Sequence, residues 1–339
     1  MSLTQRQKKL LALIIEHFID TGEPVGSKFL TTVFGSSISS ATIRNEMANL
    51  TKIGFIDQPH TSAGRIPSGA GYRYYVEYLM PKISLTAADK YAIKAKLDLE
   101  QCEPSLFLKN ACLLLSEITN CIAVASTPIS ELNVCSRIEL VTLGTSSAMI
   151  IIKTDSGVVK SKVCRIDGEF DIEIIQLFYN LTKNYFTDKT PNSIPAINLQ
   201  NLITALGDKL LIMLPLLTSL DELINECKIP QIITTGHENI FHHRALTPYS
   251  HDILNLLSNQ DAVLKILSNA QDGISVQIGQ DNGIYELLHA GIVTSRYNLS
   301  ENISGTLAII GPMGMDYSKY IPYIKYVTDT VTQTLKTNL

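Results

Sequence analysis

The sequence predicts a multidomain α+β chain, with a small helical module bearing a hairpin at its start and a mixed body behind it. Three observations lead there. The chain has 339 residues, more than one core usually organises. Its first eighty or so residues carry apolar positions at helical spacing in three short runs, followed by a hairpin signal. Beyond residue 105, strand-like runs, a long helical stretch and further strand-like runs succeed one another. With 45% apolar residues and no Pro/Ser/Gly-rich tract or long charge run, the composition is that of a folded globular protein.

The first helix is expected from Thr4, a capping residue, through Asp20, with Leu10, Leu11, Leu13, Ile14, Phe18 and Ile19 as its apolar stripe. Thr21-Gly22-Glu23-Pro24 breaks it. Ser27 opens a short second helix with Phe29, Leu30 and Val33, and Gly35 to Ser37 form a turn. The third helix begins at Ser39 and Ser40, and Ile43, Met47 and Leu50 face inward at i, i+4, i+7. Ser40, Thr42, Arg44, Asn45 and Asn49 are left on other faces, and Arg and Asn are the side chains that fork onto guanine and adenine edges. A short helix, a turn and a polar-faced helix make a helix-turn-helix arrangement.

Gly54 ends that helix. Phe55-Ile56-Asp57 and Arg65-Ile66 read as strands around a tip at residues 60–64, a wing in the place a winged helix carries one. Ser68 through Leu79 returns as a helix holding Tyr72, Tyr74, Tyr75 and Tyr78, read as core. The candidate DNA contacts are Ser27, Lys28, Ser39, Ser40, Thr42, Arg44, Asn45, Asn49, His60, Thr61, Ser62, Arg65 and Arg73. Arg44 and Asn45 are assigned to bases, and Lys28, Arg65 and Arg73 to phosphates. Arg73 equally suits an ion pair within the domain, and three helices with a hairpin also suit a protein-interaction module, the less favoured alternative to DNA binding.

Charge distribution supports the first reading. Residues 1–82 hold nine Lys/Arg against six Asp/Glu, a net +3, while the remainder holds 19 against 26, a net −7. No signal sequence is expected at the N-terminus, and Asp208, Lys209 and Pro215 interrupt the most apolar window, Leu202 to Leu220, so no membrane partner and a cytoplasmic location are expected. The six cysteines form no C-x-x-C pair and read as reduced buried thiols.

In the body, residues 83–104 suggest a helical connector, 106–118 a helix, and 121–125 a buried strand. Residues 138–143, 148–153 and 158–164 read as a meander. Helix follows over 169–183 and 199–227, a strand over 231–235, and helix over 253–267. Strands are expected at 274–278, 284–289, 291–294 and 307–310, with a last helix over 317–335. No enzyme is expected. There is no phosphate loop and no Gly-x-Ser-x-Gly elbow. His237 and His242 are five apart, which sets them about 140° from each other on a helix and wrong for a zinc pair. No metal and no cofactor are expected.

The strings at Thr21–Lys28, Ser39–Leu50, Pro59–Pro67 and Gly71–Val76 resemble the HrcA family of heat-inducible repressors, as do those at Ile278–Asn282, Thr294–Tyr297 and Gly305–Tyr317. The resemblance covers essentially the whole chain and is weakest over 165–250. It implies a winged helix-turn-helix at 1–82, a helical linker at 83–104, a GAF-like α/β sensor-type domain at 105–165 and 250–339, and an inserted helical dimerisation domain at 166–249. It further implies a repressor of chaperone genes that binds double-stranded DNA at an inverted-repeat operator as a homodimer and is kept active by the GroEL chaperonin. A metabolite-responsive regulator, using the GAF-like domain as its sensor, is the alternative. Asp281 stands where the family pattern leads one to expect Glu, and Gly314 where it leads one to expect Arg.

Overall fold

The computed structural model describes residues 3–35, 38–60, 64–97, 100, 103–130, 135–185, 206–270 and 273–338. It is a mixed α+β chain with a helical N-terminal region and antiparallel sheets.

Helix α1 (Gln5–Thr21) starts in a capping box. Thr4 Oγ1 accepts from Gln7 N and Gln7 Oε1 accepts from Thr4 N, so two otherwise unpaired amides are satisfied at once. It stops at Gly22, whose φ of 70° is left-handed and suits a residue without a Cβ. Helices α2 (Ser27–Phe34) and α3 (Ser40–Ile53) follow, then β1 (Ile56–Asp57), β2 (Ile66–Pro67) and α4 (Gly69–Tyr74). The chain runs on from α4 through a wide π turn over Tyr75–Leu79. Tyr72 and Tyr75 enter the core as expected, while Tyr78 is exposed.

Helices α5 (Ala87–Lys96) and α6 (Pro104–Thr119) lead into the body. Its main sheet is antiparallel, built from β3 (Ile122–Ser126), β8 (Ile232–Thr235), β9 (Ile274–Ile278), β10 (Ala290–Asn298) and β11 (Ile303–Pro312) in the order β8-β3-β11-β10-β9. The short β4 (Ile129–Ser130) pairs with the start of β11. Both faces are covered at its centre, which is why β3 and the middle of β11 read as nearly continuous apolar runs. Alternation sends Ala123, Ala125, Leu307 and Ile309 to one face, into a core with α6 and with α11 (Tyr317–Asn338). Ile122, Val124, Ala308 and Ile310 go to the other, against α9 (Ser250–Ser258) and α10 (Gln260–Ser268). The N-terminal module shares the first of these cores.

Between β4 and β8 the chain builds a separate unit. Strands β5 (Cys135–Thr142), β6 (Ser147–Thr154) and β7 (Val159–Arg165) form their own three-stranded sheet. It packs with α7 (Ile172–Tyr185) and α8 (Leu210–Cys227) around Ile150, Ile152, Phe178, Leu216 and Leu220.

Three sequence-based expectations need correction. The meander expected within 105–165 of the larger domain lies in this separate sheet, and β8, expected in the insertion, pairs with β3. Alternation identifies a strand but not its partner, and two tight hairpins close the meander locally. The strand expected over 284–289 is a 3₁₀ turn at Tyr285–Leu287. There the Asn282 amide donates to the carbonyls of Leu287 and Ala290 and holds the backbone in a loop until β10 begins. The helix expected over 253–267 is broken at Asn259, whose side chain caps α10 by accepting from Ala262 N.

Among the described residues no helix is long and apolar enough to cross a membrane. The five described cysteines are buried free thiols, and Cys102 lies outside the described residues. Residues 237–242 form a 3₁₀ helix, and no cluster of three His, Cys, Asp or Glu is placed for a metal among the described residues.

Candidate nucleic-acid interface

The candidate interface is built on α3. Ser39 caps it, accepting from Thr42 N at 3.1 Å, and Gly54 closes it with φ 85°. Ile43, Met47 and Leu50 are buried, as their spacing requires. On the opposite side Ala41, Arg44, Asn45, Ala48, Asn49 and Lys52 are exposed. At 100° per residue these six positions span about 140° of the helix circumference, one continuous face. Asn45 and Asn49 have no side-chain hydrogen bond within the described structure, so their amides are available. Ser40 and Thr42 are half-buried at the edges of this face, and the Thr42 hydroxyl is already bonded to Ser39 at 2.9 Å.

Three members of the face escaped the sequence reading: Ala41, Ala48 and Lys52. The i+3/i+4 pattern running out from Arg44 and Asn45 contains all three. The alanines carry no polar group to mark them in the sequence. Their small size permits close approach to a groove floor, and a methyl suits the thymine methyl.

Helix α2 supplies the second element. Arg44 Nε donates to Ser27 Oγ at 3.3 Å, so the first residue of α2 steadies the guanidinium. Lys28 is exposed beside it. The N-cap of α2 is Gly26, with no side-chain cap, which leaves the first amides of that helix without a side-chain acceptor.

The hairpin is stitched to the α1–α2 loop by a backbone bridge, with Val25 and Arg65 exchanging N–H···O bonds of 2.8 Å. A Cβ at Gly64 would lie 2.6 Å from the Val25 carbonyl, so only glycine allows the strand this close. Arg65 is half-buried, and its Nε finds no acceptor among the described residues. His60 is exposed, while Thr61 and Ser62 lie outside the described residues.

Arg73 is expected either at a phosphate or in an ion pair within its domain, and the structure shows it in an ion pair with the body. Its guanidinium pairs with the Asp281 carboxylate, on the turn between β9 and β10. Nearby, the Tyr72 ring lies over Gly314, where a Cβ would come within 2.5 Å of its Oη. These two contacts form a seam between the N-terminal module and the body.

The profile described as HrcA protein C-terminal domain matches residues 106–321. The chain is 31% identical over 332 residues to the heat-inducible transcription repressor HrcA of Acetivibrio thermocellus, with 96% of this chain and 95% of the relative covered. It is 31% identical over 338 residues to the protein of the same name from Clostridium acetobutylicum, with 99% and 98% covered. In fold it resembles a crystal structure described as a hypothetical protein, with TM-score 0.69, 24% identity and the full length of both chains covered.

Proposed function

Because this chain belongs to the HrcA family of heat-inducible transcription repressors, we propose that it represses chaperone genes by binding an inverted-repeat operator as a homodimer. The observation that carries this is the exposed face of α3, where Ala41 and Ala48 lie between Arg44 on one side and Asn45 and Asn49 on the other. In this reading residues 1–82 are a winged helix-turn-helix, and α3 enters the major groove. Arg44 and Asn45 read base edges, and Asn49 and Lys52 continue the contact along the groove. Ser27, Lys28 and the start of α2 meet a phosphate, as do Ser39 and Ser40 at the start of α3. The hairpin carries His60 and Arg65 toward the backbone or a narrow minor groove, and Thr61 and Ser62, outside the described residues, are proposed as further contacts there.

The main sheet with its flanking helices is read as GAF-like, and the inserted unit as the dimerising element. Ile172, Leu211 and Leu214 are exposed on its helices, and Val159 and Val163 on β7. Exposed aliphatic side chains concentrated in one small unit are what a partner copy would cover. Two-fold symmetry then presents two copies of α3 to two half-sites. The same apolar side chains, free in a monomer, suit capture by a GroEL-type chaperonin, which would keep the repressor competent until heat diverts it to unfolded chains.

The test is fluorescence anisotropy of the full chain on a labelled inverted-repeat duplex from a chaperone-gene promoter, with random duplex as control, a salt titration and added chaperonin. Salt-dependent, operator-selective binding that chaperonin enhances is expected. Equal affinity for operator and random duplex, with and without chaperonin, would overturn the proposal.

A further inference from the structure

A cleft of about 230 Å³ opens beside the main sheet, between the end of α10 and the strands β10 and β11. Leu264, Leu267 and Ile129 supply its apolar wall, and Ser126, Arg296 and Ser304 its polar groups. None of its lining residues belongs to the α3 face, and the DNA-binding reading makes no use of it.

Arg296 is half-buried on β10. Its Nε and Nη2 donate to Ser304 Oγ at 3.2 and 2.8 Å, and no carboxylate among the described residues pairs with it. A guanidinium partly removed from water and satisfied by a neutral hydroxyl retains an uncompensated positive charge. The hydroxyls extend the pattern. Ser304 Oγ uses its lone pairs on the two arginine N–H groups, so its own hydrogen must point elsewhere. Ser126 Oγ accepts from Thr306 N at 3.0 Å and likewise keeps a hydrogen to donate. By contrast Ser268 and Thr306 spend their hydroxyl hydrogens on the carbonyls of Lys265 and Leu267. The cleft therefore offers a cation and two hydroxyls that still have a hydrogen to donate, beside the hydroxyl oxygens of Ser268 and Thr306 and aliphatic walls.

We propose that this cleft binds a small organic carboxylate, its anionic end on Arg296, Ser304 and Ser126 and a short aliphatic tail against Leu264, Leu267 and Ile129. The guanidinium is the one charged group of the lining and carries no carboxylate partner among the described residues, so it favours an anion, and its fork selects a planar bidentate one. At about 30 Å³ per water the volume corresponds to roughly seven or eight waters, which suits an acid of four to six carbons. Because the ligand would bind the folded chain alone, it would raise thermal stability in proportion to its occupancy.

The probe is isovalerate, titrated into the full-length protein by calorimetry and followed by thermal shift at constant ionic strength. 3-Methylbutanol, isoamylamine and inorganic phosphate are the comparison ligands. Saturable isovalerate binding is expected, with no response to the alcohol or the amine. Arg296→Gln should weaken it at least tenfold. Ser304→Ala, which leaves the guanidinium and the strand intact, should weaken it severalfold and serves if the arginine variant does not fold. No saturable response to isovalerate would overturn the proposal, as would wild-type affinity in the folded Ser304→Ala and Arg296→Gln proteins. Binding of phosphate without isovalerate would also overturn it, assigning the cleft to inorganic oxyanions.

Discussion

Arg44 on α3 leans on Ser27 at the first turn of α2, its Nε 3.3 Å from the serine Oγ. One nitrogen of the fork is tied down and the two terminal ones are left for a base. This division separates two residues that composition alone would treat alike. Arg44→Ala should reduce discrimination between operator and random duplex, by about 1–3 kcal/mol at the base pair it reads. Lys28→Ala should weaken both duplexes evenly and reduce the salt slope by about one. Competition anisotropy at several salt concentrations checks both, and equal losses for both variants on both duplexes would contradict the assignment.

Arg73 makes the opposite prediction. Its carboxylate partner sits in the body, so Arg73→Ala should leave the salt slope of DNA binding unchanged. Arg73 and Asp281 are both partly exposed, and such pairs couple by no more than about 1 kcal/mol. A double-mutant cycle with Asp281→Asn, read by denaturant unfolding, measures that coupling. A fall of one in the salt slope would return Arg73 to the phosphate contacts.

At the same seam Gly314 has no room for a side chain, since a Cβ would meet Tyr72 Oη at 2.5 Å. Gly314→Ala should destabilise by about 1–3 kcal/mol through overpacking. The Tyr72 hydroxyl is buried with no hydrogen-bond partner among the described groups, so Tyr72→Phe alone should be near neutral. In the Tyr72→Phe background the alanine should cost less. Thermal unfolding of the four proteins checks the cycle, and strict additivity would contradict the contact.

Glu16 supplies a pH dependence. Burial is the main cause that lifts its carboxyl above the ordinary range, opposed by the hydrogen bond from Tyr75, with the Asp20 charge adding to the rise. A raised folded pKa means that the native state holds the proton more tightly. The resulting stabilisation is fully present below the unfolded pKa and is lost as pH rises through the folded one. Glu16→Gln should therefore flatten the stability profile just above the usual carboxylate range and raise the melting temperature slightly at neutral pH. An unchanged profile would contradict this account.

Much of the N-terminal module was legible because its signals are local. Thr4 and Ser39 cap the helices assigned to them, Gly22 and Gly54 end them, and Ile43, Met47 and Leu50 point inward. What escaped depends on contacts between distant segments. Nothing near Arg73 in the sequence announces Asp281, and nothing in the meander says that it prefers its own sheet to β3. Likewise Arg296 reads as an ordinary strand residue until the end of α10 closes a cleft over it. The face of α3 is half legible: its polar residues are marked by their chemistry, and the alanines between them complete the surface only once the helix is built.

The central claim is that α3 reads bases in two symmetric half-sites. Selection from a randomised duplex library tests it most directly, with wild-type and Arg44→Ala proteins run side by side. The account predicts that the wild type enriches an inverted repeat, and that the variant loses its preference at one equivalent position in each half. Enrichment of no sequence by the wild type, or of the same repeat with the same preferences by both proteins, would contradict it.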